Sequence, residues 1–252
     1  YNDHGLNFFL DKLPTFAVGA APEYRNADEG WGIPTVPPFA GDPGLSWHLI
    51  ESLVADEFDV TMCQEMLVDH AFTLPMALLF PGQGAWPVTV VPVCINTVQF
   101  PLPSAARVYK LGEAVGRAIR SWDSDARVLV MGTGSITHNL RRVFGGGLRS
   151  NADAPEIAES AAFRQWIQQL GQARDWDALF DYRRQAPHAV DMHPTDEHLL
   201  PWYVAAGAGG RDSAALRLHH SLTFGSLGMD SYAFGPTAPL LERALADMPA
   251  SA

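Results

Sequence analysis

Nine histidines occur among the 252 residues, and four of them, His4, His70, His138 and His198, stand where a regular element should begin or end. Imidazole changes charge near neutral pH and is the commonest metal ligand, so such residues serve as proton shuttles or as ligands. In open α/β sheets ligands bind beyond the carboxyl ends of strands, which lets side chains distant in sequence meet. His4 follows Tyr1-Asn-Asp3, which reads as the end of a strand. His138 follows Gly132, Gly134 and Ser135, whose small size leaves space for a ligand. His70 follows Val68-Asp69 and precedes an apolar turn. His198 is expected in the first turn of a helix beside Asp196 and Glu197, where a cation is unfavourable and needs another reason to be present. His48, His188, His219 and His220 read as surface or core histidines, and His193, before Pro194, as structural.

Other chemistries fail on spacing. Gly132-Thr-Gly134 follows an apolar run, but Thr137 stands at the third glycine of a dinucleotide fingerprint. There is no GxxxxGK[ST] and no HExxH. Phe224 replaces the first glycine of a nucleophile elbow at Gly225-Ser-Leu-Gly228.

The elements that must position the histidines follow from periodicity and caps. Asp42 with Pro43 caps a helix that carries Leu45, Leu49, Leu53 and Val54 and runs to about Ala55. The prolines and glycines from about Glu29 to Asp42 make that stretch a long ordered loop of the kind used as lids. Pro87 to Ile95 reads as a buried strand with Pro92 as a reservation. Ser104 caps a helix with Val108, Leu111, Val115, Ile119 and Trp122 on one face. Arg127 to Met131 reads as a second buried strand, and strand, helix, strand implies a parallel crossover. Further helices are expected from about Ile157 to Leu170, stopped by Gly171, and from Asp175 to about Gln185, stopped by Pro187. Another should run from Thr195 to Gly207, with an irregularity at Pro201, and a terminal one from Pro239 to Met248. Ser221 to Phe234 has strand-like ends around a glycine-rich bend. The fold class is α/β: one domain over residues 1–252, with a central mostly parallel or mixed sheet flanked by helices.

Composition bounds the partners. Acidic residues outnumber basic ones 28 to 17, for a formal charge of −11, which argues against nucleic acid. Arginine carries nearly all the positive charge and suits bidentate carboxylate recognition, so an acidic small molecule stays open as substrate. Arg141 and Arg142, just after His138, are candidates for meeting its carboxylate or are solvated surface groups. Cys63 and Cys94 form no CxxC pair, which fits a reducing cytoplasm. No apolar stretch approaches the roughly 20 residues of a membrane helix.

Several segments resemble one family. Tyr1-Asn-Asp-His4, Ala27-Asp-Glu-Gly-Trp-Gly32, Val68-Asp-His70 and Gly132-Thr-Gly-Ser-Ile-Thr-His138 look like the catalytic subunit of protocatechuate 4,5-dioxygenase and the related gallate dioxygenase. His138-Asn-Leu-Arg141, Asp181-Tyr-Arg-Arg-Gln-Ala-Pro-His188, His193-Pro-Thr-Asp-Glu-His198 and Gly225-Ser-Leu-Gly-Met229 are similar to the DOPA-type extradiol dioxygenases. The resemblance, to the class III (LigB-type) extradiol superfamily, covers nearly the whole chain.

That resemblance implies a non-haem Fe(II), with zinc as the alternative metal, held by two histidines and a third ligand. His4 matches the second histidine ligand. His198 matches the third position, a glutamate in the protocatechuate branch, with Glu197 as the fallback. His138 matches the acid/base histidine and His70 a histidine near substrate and oxygen. The first histidine ligand of the family has no counterpart. The resemblance implies that the N-terminal strand carrying that ligand is missing from the chain, which opens on Tyr1 rather than Met and so reads as a start inside a longer product.

The implied reaction is extradiol cleavage of a catecholic or gallate-like aromatic with O2, giving a ring-opened semialdehyde or acid. Cleavage of an aminophenol or hydroxypyridone, and a non-enzymatic metal-binding or scaffolding role, are the alternatives. The expected partners are a small aromatic substrate, O2 and further copies of the chain, with a small partner subunit as an option. Nucleic acid and membrane are not expected, and the location is cytoplasmic. His4 and His198 are expected to converge on one cavity, with His138 and His70 facing its open side.

Overall fold

Phe16–Gly19, a run of four buried residues with no polar side chain, forms β1, the middle strand of a three-stranded sheet in the computed structural model. The structure describes residues 1–8, 11–30, 32, 33, 35–82, 84–145 and 151–247. These fall into two compact units, one of Tyr1–Pro103 with Ala114–Thr133 and one of Ser104–Glu113 with Gly134 onward.

In the first unit β1 pairs in parallel with β4 (Thr61–Cys63) and antiparallel with β6 (Val93–Ile95). Tyr1 to Asp3, read as a strand end, is irregular chain, although the Tyr1 amino group donates to Val93 O at 3.0 Å and its carbonyl accepts from Ile95 N–H at 2.9 Å. A second sheet places β2 (Glu23–Asn26) between β3 (Phe39–Ala40) and β5 (Leu67–Val68). Tyr24, Phe39 and Val68 from this sheet join Ala17 and Cys94 in one buried cluster.

Helix α1 (Pro43–Ala55) has the expected limits, and the Asp42 carboxylate accepts Leu45 N–H at 3.0 Å. Leu45, Leu49 and Leu53 are buried, and Val54 is exposed. α2 (His70–Leu79) leaves β5 through its N-cap Asp69.

Two strand expectations change here. Only Val93–Ile95 of the Pro87 to Ile95 run is strand, because Pro92 has no N–H to give a ladder and serves as an acceptor for Gly19 N–H at 2.9 Å. Arg127 to Met131 is not a strand: Leu129 is 77% exposed, and no described residue pairs with the run. An apolar run becomes a strand only when another strand accepts its backbone groups. The parallel pairs among the described strands are therefore β1 with β4, connected through β2, β3 and α1, and β2 with β5, rather than the expected crossover.

In the second unit the first part of α3 (Ala105–Ser121) carries buried Val108 and Leu111, and Ser104 Oγ accepts Arg107 N–H at 3.2 Å as a cap. A short α4 (Leu140–Gly145) follows His138. α5 (Ala158–Ala173) buries Phe163 and Ile167 completely, each contributing about 1.5–3 kcal/mol. Gly171 does not stop this helix. A Cβ there would come within 2.7 Å of Ala215 Cβ, so the glycine admits a neighbour, and the chain leaves the helix at Arg174 with φ 62°.

The expected helix from Asp175 splits into α6 (Trp176–Phe180) and α7 (Tyr182–Gln185) at Asp181, whose carboxylate accepts from Arg184 Nε and Gln185 Nε2. α8 (Ala189–Met192) comes next. α9 (Leu200–Gly209) begins at Leu200 rather than after Thr195. Pro201 explains the shift, since proline fits the first turn of a helix and disrupts its interior.

β7 (Leu216–His219) pairs with β10 (Ser231–Ala233), while β8 (Leu222–Thr223) and β9 (Leu227–Gly228) flank the glycine bend. α10 (Ala238–Ala246) is the terminal helix, and the expected end at Met248 lies outside the described residues. The class is mixed α/β as expected, with the described strands shared among small sheets. Both cysteines are buried free thiols, and no described helix is long and apolar enough to cross a membrane.

Candidate active site

The first unit brings His4 and His70 together, their rings stacked with centroids 4.5 Å apart and planes 29° from parallel. His4 lies on an irregular segment that is tied down on both sides. Asp3 accepts the backbone N–H groups of Gly5 and Asn7 at 3.2 Å each. Asn7 meets Leu67 of β5 reciprocally: its Nδ2 donates to Leu67 O at 2.8 Å and its Oδ1 accepts Leu67 N–H at 2.9 Å. This brings His4 beside Asp69, two residues on. The Asp69 Oδ2 atom accepts the His4 backbone N–H at 2.9 Å and its Nδ1–H at 2.8 Å, while Oδ1 caps α2 through Ala71 N–H at 3.0 Å.

His70, the first residue of α2, has a carboxylate of its own. Glu29 reaches it from the loop after β2, with Oε1 accepting the His70 N–H and Oε2 accepting Nδ1–H, both at 2.7 Å. Both carboxylates are out of solvent, Asp69 at 0% and Glu29 at 8% exposure. A carboxylate accepts only, so each ring carries its proton on Nδ1 and its lone pair on Nε2. Metal-ligating histidines are oriented in this way by a second carboxylate. Nitrogen and oxygen donors of His4, Asp69 and His70 lie within 4.8 Å of one another, a group that could hold a metal ion.

The second unit brings His138 and His198 together, with ring centroids 3.5 Å apart and planes 19° from parallel. Two loops are laced to make this stack. Ser135 N–H donates to His198 O at 3.1 Å, His138 N–H donates to Met192 O at 2.9 Å, and His193 Nε2–H donates to Ile136 O at 2.7 Å. Gly134 permits the approach, because a Cβ there would stand 2.1 Å from His198 O. Burial lowers the His138 pKa below the ordinary histidine value, with the Glu197 carboxylate opposing that shift. The nearest Glu197 oxygen lies 4.0 Å from His198 Nε2.

Each unit thus joins one expected ligand to one expected catalytic histidine, which spacing alone did not indicate. His193 is fully buried, as its structural reading requires, and burial lowers its pKa to about 4. His48 is likewise structural, with Nε2 2.8 Å from Ala118 O. Arg142 is committed to Asp191 and Glu159 rather than standing ready for a substrate. Sequence reasoning missed the two orienting carboxylates. Asp69 precedes His70 in the chain yet serves His4, and Glu29 is 41 positions from the histidine it holds. Their presence inside the segments quoted above was the available signal.

Residues 1–235 match the family described as the catalytic LigB subunit of aromatic ring-opening dioxygenase, and the chain belongs to that family. It is 42% identical over 114 residues to a gallate dioxygenase from Pseudomonas putida KT2440, a match covering 45% of this chain and 34% of that protein. It is 30% identical over 198 residues to a 4,5-DOPA dioxygenase extradiol from Beta vulgaris, covering 78% of this chain and 67% of that one. The chain therefore spans about a third of the gallate dioxygenase it matches. Among solved structures, an uncharacterized protein from Escherichia coli K12 shares the fold, with a TM-score of 0.61, 19% identity and coverage of 87% of this chain and 80% of that one.

Proposed function

We propose that this chain catalyses Fe(II)-dependent extradiol cleavage of a catecholic or gallate-like aromatic with O2, opening the ring beside the diol to a semialdehyde or acid. The observation that carries this reading is the double hydrogen bond from His4 to Asp69, the orientation expected of a ligating imidazole. Imidazole and carboxylate donors suit a ferrous ion with open positions. His4 and His198 are the proposed ligands, with Glu197 as the alternative to His198. When bound, the ion supplies Lewis acidity toward the phenolic oxygens of the substrate.

The remaining steps belong to side chains. His138, its pKa lowered by burial, is neutral at pH 7 and takes a phenolic proton, which it later returns. His70, protonated at Nδ1 by virtue of Glu29, offers the Nε2 lone pair to a substrate hydroxyl. Oxygen uptake by the Fe(II)-loaded chain tests the proposal, with protocatechuate, gallate, homoprotocatechuate, DOPA and 2-aminophenol as candidates. Uptake accompanied by a yellow ring-fission product is expected with at least one diol. Absence of uptake with all of them, or turnover of esters without oxygen, overturns it.

A further inference from the structure

The loop carrying His198 is held from one side by α7. Asp196, two residues before His198, has a side chain 16% exposed whose carboxylate accepts the Tyr182 hydroxyl and the Arg183 Nη2 atom, the latter at 2.5 Å. Arg183 Nη1 also donates to His193 O at 2.6 Å, so two adjacent residues of α7 hold the loop before His198 at His193 and at Asp196. The Asp196 carbonyl in turn accepts Leu199 and Leu200 N–H at 3.1 and 3.0 Å, which fixes the turn containing His198. Tyr182 is only 3% exposed, so its hydroxyl is a fixed donor rather than a mobile surface group.

We propose that Asp196, gripped by Tyr182 and Arg183, is a positioning residue that holds the His198 imidazole in its stack on His138. The proposal rests on the reading of those two histidines as site residues. A carboxylate held by a phenol and a guanidinium has one rotamer, and that restraint passes through two peptide units to the ring. An ordinary surface ion pair would impose no such restraint. Burial, and then the Asp196 charge, raise the Tyr182 pKa, which keeps the phenol a donor throughout the neutral range.

The test uses the metal-free chain labelled with ¹³C-histidine. Rings stacked this closely shift each other's C–H resonances, so His198→Gln should move the His138 signals of the parent chain. Asp196→Asn should move the signals of both histidines, and adding His198→Gln to it should then leave His138 unchanged. With Fe(II) loaded, Asp196→Asn should lower kcat about 10- to 100-fold with little change in KM, and Asp196→Glu should recover part of the loss.

Should Asp196→Asn fail to fold, Arg183→Lys, which replaces the two-pronged guanidinium by a single nitrogen, and Tyr182→Phe, which removes the phenol donor, carry the same comparison. Unmoved histidine signals in these variants overturn the proposal, whatever the effect on turnover. The two readings fail separately. Moved signals in a chain that consumes no oxygen uphold the positioning role and overturn the dioxygenase, whereas normal oxygen uptake with unmoved signals does the reverse.

Discussion

A single atom, Asp69 Oδ2, receives both the backbone N–H and the Nδ1–H of His4, at 2.9 and 2.8 Å. Because Asp69 also caps α2, the orientation of this ring is set by the same residue that starts the helix bearing His70. His70 repeats the arrangement with Glu29, so two neighbouring imidazoles share one design with separate carboxylates.

Asp69→Asn is expected to weaken Fe(II) binding about 10- to 100-fold, the usual loss when the second partner of a ligating histidine is altered. Asparagine is as good an N-cap as aspartate, so α2 should persist, but its Nδ2 faces the His4 N–H groups as a donor and the lost hydrogen bonds should cost about 1–3 kcal/mol of stability. Anaerobic Fe(II) titration beside a thermal melt separates the two effects. Glu29→Gln, by contrast, should retain iron and lose turnover.

His138→Gln should keep its iron and lose about 10²- to 10⁴-fold in turnover, since an amide can hold a hydrogen bond without shuttling a proton. In the parent chain, protonation of His138 removes the base, so kcat/KM falls as pH drops through its pKa. Burial puts that acid limb below the ordinary value of about 6.5. Near-normal oxygen uptake by the variant from pH 6 to 9 would remove His138 from the mechanism.

Gly134→Ala places a Cβ 2.1 Å from His198 O, a backbone atom with little freedom to retreat. The expected cost is about 1–3 kcal/mol in chemical denaturation, with loss of activity as the two loops part. Ser135→Ala serves as the control, because it keeps the N–H that bonds His198 O and removes only a contact to Met229 Sδ. Equal damage from both substitutions would refute the loop-lacing account.

His193 makes stability depend on pH. Its folded pKa of about 4 lies below that of the unfolded chain, about 6.5, so between these values only the unfolded state takes up the proton. Stability from this residue is complete above about pH 6.5 and declines as pH falls toward 4, by about 3 kcal/mol. Urea denaturation of the parent and of His193→Gln at pH 7, 5.5 and 4.5 should give profiles that differ by this slope. A constant difference between them would show that His193 takes up its proton equally in the folded and unfolded states, and would overturn the assignment.

What could be read along the chain was local. Asp42-Pro43 announced α1, Ser104 announced α3, and the four histidines at element ends announced a site, because caps, periodicity and residue chemistry act within a few positions. The segments around His4, Glu29, Asp69, His138 and His198 also carried the family. Everything that depended on a partner was decided by tertiary structure. Arg127 to Met131 had strand propensity but no ladder, Gly171 became a packing position, and Pro201 set a helix start instead of a kink. The pairing of His4 with His70 and of His138 with His198, and the choice of Asp69 and Glu29 as their carboxylates, followed from which loops pack together. A hydrogen bond forms where geometry brings donor to acceptor, and across sequence separations of 41 or 65 positions no spacing encodes that meeting.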